Sequence, residues 1–331
     1  MRRLVKAIDL GLAHIMRPAQ SGVAILGFHG LMPDDGADGD GTVDPYQPFT
    51  CCDLDRLITS ARAAGLRFIC GRDLDRLATG GRADSGTAIW LTFDDGYANN
   101  LGALPILRKH SVPATFFITS GAVASGDAFW WDVLYREGRR RNQSIQALAA
   151  RREALKACPP AAIRATLIAD FGETAFRPCG DLDRPMTAPE LSAFARDPLV
   201  EIGNHTQNHA ILSILPEADQ RREIAGSQDF LARVTGNAPQ VIAYPNGGAT
   251  PATLRIAGES GLMTGVTCLP HRNALPPHQS SGEQMALGRF MGLRHDAMER
   301  ETRLAFATPA LAQYNAVRSR RPLLDPDMPH D

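Results

Sequence analysis

Short apolar runs recur along the chain and are separated by segments whose apolar residues follow helical spacing. Continuous apolar runs of about four to eight residues indicate strands covered on both faces, whereas a period near 3.6 indicates helices. The predicted strands are 23–28, 66–70, 88–93, 114–119, 199–202, 241–244, 263–268 and 286–290. The predicted helices are 53–64, 73–78, 104–109, 130–156, 160–171, one that starts at 187, 217–234 and 251–258. Strands that alternate with helices imply parallel βαβ units, so we predict an α/β fold, a distorted (β/α) barrel, rather than an open sheet.

The same pattern divides the chain into parts. Residues 125–185 hold an Arg-rich and Ala-rich helical stretch, which we interpret as an insertion in a main domain of residues 21–315. Residues 1–20 have apolar positions at helical spacing and predict an N-terminal docking helix. Residues 316–331, rich in arginine and proline, predict a flexible tail.

Composition and charge narrow the possible classes of protein. The 331 residues carry a formal net charge of −1, which favours neither a nucleic acid nor an anionic membrane as a partner. None of the six cysteines forms a C-x-x-C pair, so we expect reduced and mostly buried thiols rather than a zinc ribbon or a redox motif. The sequence has no apolar run of about 18 residues and no clean secretory apolar region, so we expect no transmembrane segment and a cytoplasmic protein.

Polar residues cluster where the predicted strands end. Since α/β barrels carry their active sites at the carboxyl ends of the strands, we expect these side chains to meet at one face. The residues concerned are His29, Asp94, Asp95, His205, Tyr244 and Arg289.

Two short segments supply the residues of a metal site, Thr92–Gly96 and His205–His209. One carboxylate and two histidines can hold a divalent ion and leave positions open, as catalytic zinc sites require. The second carboxylate is then free to act as a base on bound water. Taken singly, each segment has a structural alternative, since Asp is a common helix N-cap and H-x-x-x-H recurs by chance. Thr206 stands where the zinc proteases have a glutamate, so the base must be Asp94 or Asp95.

These segments resemble the first two motifs of the polysaccharide deacetylases, the NodB-homology family or carbohydrate esterase family 4. Residues 243–247 (Ala-Tyr-Pro-Asn-Gly) resemble the third motif, and the resemblance covers roughly residues 21–290 without the insertion. It implies a distorted (β/α) barrel and hydrolysis of N-acetyl groups on amino sugars, and hence an N-acetylated glycan as the partner.

The resemblance also implies roles for single residues. Asp94 matches the catalytic base, and Asp95, His205 and His209 match the metal ligands, most often for zinc. Cobalt, nickel or iron would suit the same ligands. A backbone N–H near Asn246 matches an oxyanion donor. We further expect substrate contacts from His29, Trp131, Tyr244, Pro245, Asn246 and Gly247.

Three departures from the family pattern matter for the mechanism. Ala243 stands where the third motif has an arginine that pairs with the base, and Asn246 replaces its aromatic residue. The fourth motif is missing, and the fifth, Leu-x-His, has one loose match that ends at His295. In the family this histidine is the general acid. The departures resemble an exopolysaccharide-linked subgroup, and we hypothesise that Arg289 replaces the missing arginine and keeps Asp94 ionised.

Several residues keep a structural interpretation beside the functional one. His29 could simply bond to a loop carbonyl, and Trp131 could anchor the insertion instead of stacking on a sugar. The arginines of the insertion are interpreted as a solvated helix face. These are Arg136, Arg139, Arg140, Arg141, Arg151 and Arg152.

Other functions remain open on the residues alone. The same metal set could hydrolyse an O-acetyl ester or a non-sugar amide. An iron oxygenase also uses two histidines and one carboxylate, but its usual H-x-D spacing is absent. A non-catalytic carbohydrate-binding relative is the last alternative, although it need not keep both Asp94 and Asp95.

Overall fold

The computed structural model describes residues 22–34, 49–78, 87–274 and 283–291. The predicted N-terminal helix, the predicted tail and His295 lie outside these residues. Within them, no helix is long and apolar enough to cross a membrane.

A curled sheet forms the centre of the molecule. Its strands are β1 (Gly22–Phe28), β2 (Arg67–Ile69), β3 (Thr87–Phe93), β4 (Ala114–Ile118), β5 (Val200–Asn204), β6 (Val241–Ala243), β7 (Thr264–Val266), β8 (Asn273–Ala274) and β9 (Phe290–Met291). The main path runs β7-β6-β5-β4-β3-β1-β8, and all pairings along it are parallel except that between β1 and β8. Val23 and Ile25 of β1, like Ile89 of β3, are fully buried because the sheet is covered on both faces.

Helices follow most of the strands and cover the outside of the sheet. They are α1 (Cys51–Ala63), α2 (Gly71–Ala78), α3 (Ala103–His110), α4 (Ser120–Ser125), α5 (Trp130–Arg140), α6 (Ile145–Leu155), α7 (Pro160–Phe171), α8 (Ala188–Phe194), α9 (Glu217–Thr235) and α10 (Pro251–Glu259). The helix start at Thr187 is confirmed: its hydroxyl accepts the amide hydrogen of Glu190, whose carboxylate caps Thr187 in return.

The last described segment links the two edges of the curled sheet. Leu287 forms a parallel bridge with Val266 of β7, and Phe290 and Met291 pair with β1. This closure confirms the distorted (β/α) barrel. The strand predicted over 286–290 is only partly correct, because residues 284–286 form a helical turn and the pairing begins at Leu287.

The insertion folds as helices around an apolar cluster of its own. Leu134 of α5, Leu148 of α6 and Leu167 of α7 pack together and are nearly inaccessible to solvent. The single helix predicted over 130–156 is wrong, since α5 ends at Arg140 and α6 begins at Ile145. Ser144 caps α6 by accepting the amide hydrogen of Ala147, and the chain before it turns through positive φ at Asn142.

Two expectations about individual side chains are also corrected. Arg136 does not lie on a solvated helix face: it is 2% exposed, pairs with Asp183 and donates to the carbonyl of Ala175. A charge buried this deeply needs such partners. The six cysteines are free, as expected, but only Cys70 is buried.

Candidate functional site

Asp94 lies at the carboxyl end of β3 and is paired with an arginine from the closing segment. Its amide hydrogen bonds the carbonyl of Phe28 at the end of β1, at 2.8 Å. Arg289 donates two hydrogen bonds to the carboxylate, Nη1 to Oδ1 at 2.6 Å and Nη2 to Oδ2 at 2.7 Å. The contact expected between these residues is therefore present. The arginine comes from the closing segment of residues 287–291 and not from the third motif.

The charge state of Asp94 follows from this pair. Burial would raise the pKa of the Asp94 carboxyl, but the Arg289 guanidinium outweighs it, and the net pKa lies well below the usual range. Asp94 is thus ionised at neutral pH, although it is only 2% exposed. Arg289 is itself fully buried and is held further by Thr92 and the carbonyl of Thr267.

Asp95, the next residue, has a positive backbone φ of 74°. Aspartate tolerates this left-handed conformation better than most residues. Its carbonyl accepts the amide hydrogen of Thr119 at the end of β4. One carboxylate oxygen, Oδ1, is buried without a hydrogen-bond partner and lies 3.5 Å from His205 Nε2 and 3.4 Å from His209 Nε2.

The two histidines reach this oxygen from the loop after β5. The His205 amide bonds the carbonyl of Ile118, and its ring Nδ1–H donates to the carbonyl of Ala243 at 2.8 Å. A carbonyl can only accept, so Nε2 is the nitrogen with a free lone pair, and it points to Asp95. His209 follows with a positive φ of 52°, which brings its Nε2 to the same place.

One carboxylate and two imidazoles therefore converge on a point. Asp95, His205 and His209 each offer a ligand atom, and these atoms lie within 4.8 Å of one another. The unpartnered Oδ1 of Asp95 fits a divalent cation, because a buried carboxylate oxygen without a donor is costly. Burial lowers the pKa of His209 to about 3, which leaves it neutral as a ligand must be. For His205, the Asp94 and Asp95 carboxylates outweigh the burial and raise the pKa, so the site attracts positive charge.

His29 extends the site at the end of β1. Its carbonyl accepts a hydrogen bond from Asn100, and its ring Nδ1 is buried without a partner. The structural alternative, a ring satisfied by a loop carbonyl, is not what the described residues show.

The third-motif segment lines the same face with its backbone. Tyr244 is fully buried and its hydroxyl donates to the carbonyl of Met285, so its ring packs in the core, and a substrate contact by this residue stays a prediction. Pro245 is buried as well, whereas Asn246 and Gly247 are partly accessible, with positive φ values of 54° and 72°.

The insertion reaches the site through Trp131. The ring of this residue meets the ring of His209 edge-on, with centroids 4.7 Å apart, and the ring of Phe129 stacks on it. Its indole N–H donates to the hydroxyl of Tyr97, which donates to Asp132. Sequence reasoning missed Tyr97 and Asp132, although Tyr97 directly follows the Asp-Asp-Gly segment and Asp132 directly follows the two tryptophans.

Comparisons with known proteins indicate the family and the fold. The family pattern described as "Polysaccharide deacetylase" matches residues 81–265. The structure of Streptococcus pyogenes deacetylase PplD in complex with acetate is similar at 17% identity and a TM-score of 0.58, covering 88% of this chain and 100% of that one. IcaB from Ammonifex degensii is similar at 18% identity and a TM-score of 0.56, with 86% and 97% covered.

The deacetylase domain of BpsB from Bordetella bronchiseptica is similar at 19% identity and a TM-score of 0.52, covering 81% of this chain and 95% of that one. A comparison with curated protein sequences finds no significant match. At these identities the structural likenesses establish the fold, while the family pattern spans more than half of the chain. The chain therefore belongs to the polysaccharide deacetylase family, the NodB-homology group that its first two motifs resemble.

Proposed function

We propose that the protein removes N-acetyl groups from the amino sugars of a polysaccharide or glycan precursor, with the help of a divalent metal ion. The observation that carries this proposal is the convergence of Asp95, His205 and His209 beside an ionised Asp94. Ligands for the ion and a separate carboxylate base are both needed for metal-assisted hydrolysis of an amide.

The metal would be held by Asp95 and by the Nε2 atoms of both histidines. Two imidazoles and one carboxylate suit zinc, and cobalt, nickel or iron would accept the same set. Such an ion contributes Lewis acidity, which polarises the acetyl carbonyl and acidifies water. The Ala243 carbonyl supports this by fixing the ring of His205 in the ligating tautomer.

Asp94 would accept the proton of the attacking water. The carboxylate lies beside the ligand set, with Oδ2 3.9 Å from His205 Nε2, and Arg289 keeps it ionised. The same bidentate pair fixes the direction of its two oxygens, since both are held by one planar guanidinium. The base is thus positioned before the substrate arrives.

The leaving amine needs a proton and the oxyanion needs a donor. The candidates for the proton are His295 and Asp94 itself, which would return the proton that it has taken. A backbone N–H near Asn246 would face the oxyanion. The unpartnered Nδ1 of His29 and the partly buried ring of Trp131 would contact the sugar.

Acetate release from a panel of N-acetylglucosamine oligomers tests the proposal. The protein is loaded with zinc and compared with Asp94→Asn, which keeps the shape of the side chain but cannot act as a base. We expect release by the wild type, a loss of about 10²- to 10⁴-fold in the variant, and loss with a chelator that zinc restores.

Assaying free amine against free hydroxyl in the same reactions separates an N-deacetylase from an O-acetyl esterase. Bound zinc without any release from amide or ester substrates would instead support a carbohydrate-binding relative. A wild type that binds no divalent metal would refute the proposal.

A further inference from the structure

The two histidines of the ligand set are held in different ways. The ring of His205 is fixed by a hydrogen bond from Nδ1–H to the Ala243 carbonyl. Within the described part of the chain, the ring of His209 makes no comparable hydrogen bond. Besides the approach of its Nε2 to Asp95, the ring makes two edge-on contacts, with His205 at 4.9 Å and with Trp131 at 4.7 Å between centroids. The direction of its Nε2 thus depends on where Trp131 lies.

Trp131 is itself held on several sides. Phe129 stacks on its face at 4.9 Å with an interplanar angle of 11°, and Trp130 meets it edge-on at 5.5 Å. Its indole N–H donates to the hydroxyl oxygen of Tyr97 at 2.7 Å. The ring of His209 contacts it as well, with centroids 4.7 Å apart. These contacts restrict the orientation of Trp131. Because its ring contacts the ring of His209, they also restrict the orientation of His209.

Tyr97 links Trp131 to Asp132 by hydrogen bonds. Its hydroxyl accepts from Trp131 and donates to Asp132 Oδ2 at 2.7 Å, so both roles of the hydroxyl are used. Its backbone pairs with Pro185, where the chain returns from the insertion. Tyr97 is 6% exposed and Asp132 3% exposed, so water does not compete for these bonds. The residue lies two positions after Asp95, so the network joins the strand-end ligand to the insertion.

We propose that Tyr97, Asp132 and Trp131 are positioning residues that hold His209 in its ligating orientation. This inference rests on the proposed metal site and extends it. The helical insertion would support the metal centre through its contact with His209. None of the three side chains needs to touch the metal or the reacting atoms. Loss of a supporting contact to a ligating histidine typically weakens metal binding or activity about 10- to 100-fold.

The experiment measures metal affinity directly, by competition with a chromophoric chelator, and the absorption spectrum of the cobalt-loaded protein. The principal variant is Tyr97→Phe, which removes one oxygen atom and keeps the ring. Its matched control is Tyr135→Phe, a buried tyrosine of α5 whose ring packs in the insertion's own cluster. Asp132→Asn keeps an acceptor for the tyrosine and serves as the conservative variant, and Trp131→Phe removes the indole N–H.

We expect the dissociation constant for zinc to rise about tenfold in Tyr97→Phe and Trp131→Phe. The cobalt spectrum should change as well, while Asp132→Asn retains most of the affinity and Tyr135→Phe behaves as the wild type. Thermal unfolding in a chelator separates a loss of folding from a loss of the contact that supports His209.

Unchanged zinc affinity and an unchanged spectrum in both Tyr97→Phe and Trp131→Phe would overturn the inference and leave the proposed function standing. A higher KM with unchanged metal affinity would also overturn it, since Trp131 would then serve the substrate alone. A wild type that binds no zinc would overturn both.

Discussion

The two sides of the candidate site are built by different means. On the strand-end side, Asp94, His205 and Arg289 are fixed by hydrogen bonds to backbone carbonyls and to one another, and none is more than 2% exposed. On the insertion side, aromatic rings pack around Trp131, and the only polar anchor described for this ring is the Tyr97 hydroxyl.

This difference shows which part of the fold supplies the charged groups of the candidate site. Charged groups lie on the barrel, where parallel strands end together and neighbouring backbones supply partners. The insertion contributes shape and apolar surface, which can vary without changing the charge of the site. This division between the two sides can be tested with four pairs of variants or conditions.

Each side contains one buried arginine pair, and removing each arginine gives the first comparison. Arg289→Ala leaves Asp94 buried and unpaired, and Arg136→Ala does the same to Asp183, so each should lower the free energy of unfolding by about 3–5 kcal/mol. At a temperature where both variants are folded, only Arg289→Ala should lose most of its deacetylation. Urea unfolding and acetate release measure the two effects. Full activity in Arg289→Ala would contradict a role for Arg289 in holding the base.

Metal removal gives the second comparison, because all three candidate ligands lie on the strand-end side and Trp131 of the insertion contacts one of them, His209. A saturating ion that binds only the folded protein stabilises it by about 2.7 kcal/mol at one hundred times its dissociation constant. We expect zinc to raise the midpoint of thermal unfolding in the wild type and not in His209→Ala. His110→Ala is the control, since His110 pairs with Asp55 at the end of α3, outside the site. A zinc effect that persists in His209→Ala would place the ion elsewhere.

Two glycines with nearly equal φ give the third comparison. Gly247 in the third-motif segment has φ 72° and Gly126, which follows α4, has φ 73°. Alanine is strained at both by about 1 kcal/mol. A Cβ at Gly247 would also lie 2.6 Å from the amide nitrogen of Cys268, whereas one at Gly126 would meet open space.

Gly247→Ala should therefore be the more destabilising change. It should also lower the rate of acetate release by about tenfold or more, since small displacements of a positioned site are costly. Gly126→Ala should leave the rate unchanged. Equal rates in the two variants would show that the backbone near Asn246 does not take part.

The smallest expected effect on stability concerns the ion pair where the insertion meets α8. Glu190 of α8 pairs with Arg184 at the end of the insertion and caps its own helix. Hydrogen bonding to Arg184 lowers the pKa of Glu190 from 4.5 to about 2. Because the folded pKa is depressed, this stabilisation is present above about pH 4.5 and is lost as the pH falls towards 2.

Glu190→Gln should thus cost about 1 kcal/mol at pH 7, mostly through the lost charge that pairs with Arg184, and the difference from the wild type should shrink in acid. Urea unfolding over this pH range measures it. A difference for Glu190→Gln that stays constant with pH would contradict the assignment.

Much of the barrel could be predicted from the sequence because its signals are local. The buried strands before Asp94 and after Pro113, and the capping box at Thr187, each depend on a few consecutive residues. The insertion was harder: the break between α5 and α6 is marked only by Ser144, and the burial of Arg136 depends on a partner 47 positions away.

The sequence by itself determined the strand-end chemistry: two adjacent carboxylates, two histidines four residues apart, and the family to which they belong. The contacts that position these carboxylates and histidines are visible only in the tertiary structure. Arg289 reaches Asp94 because the segment of residues 287–291 pairs with both β7 and β1. The ring of Tyr244 packs in the core, where its hydroxyl donates to the carbonyl of Met285. The support of His209 by Trp131 joins residues 78 positions apart through an insertion. Local spacing specifies which groups are present at a strand end, whereas contacts between distant segments exist only once the chain has packed.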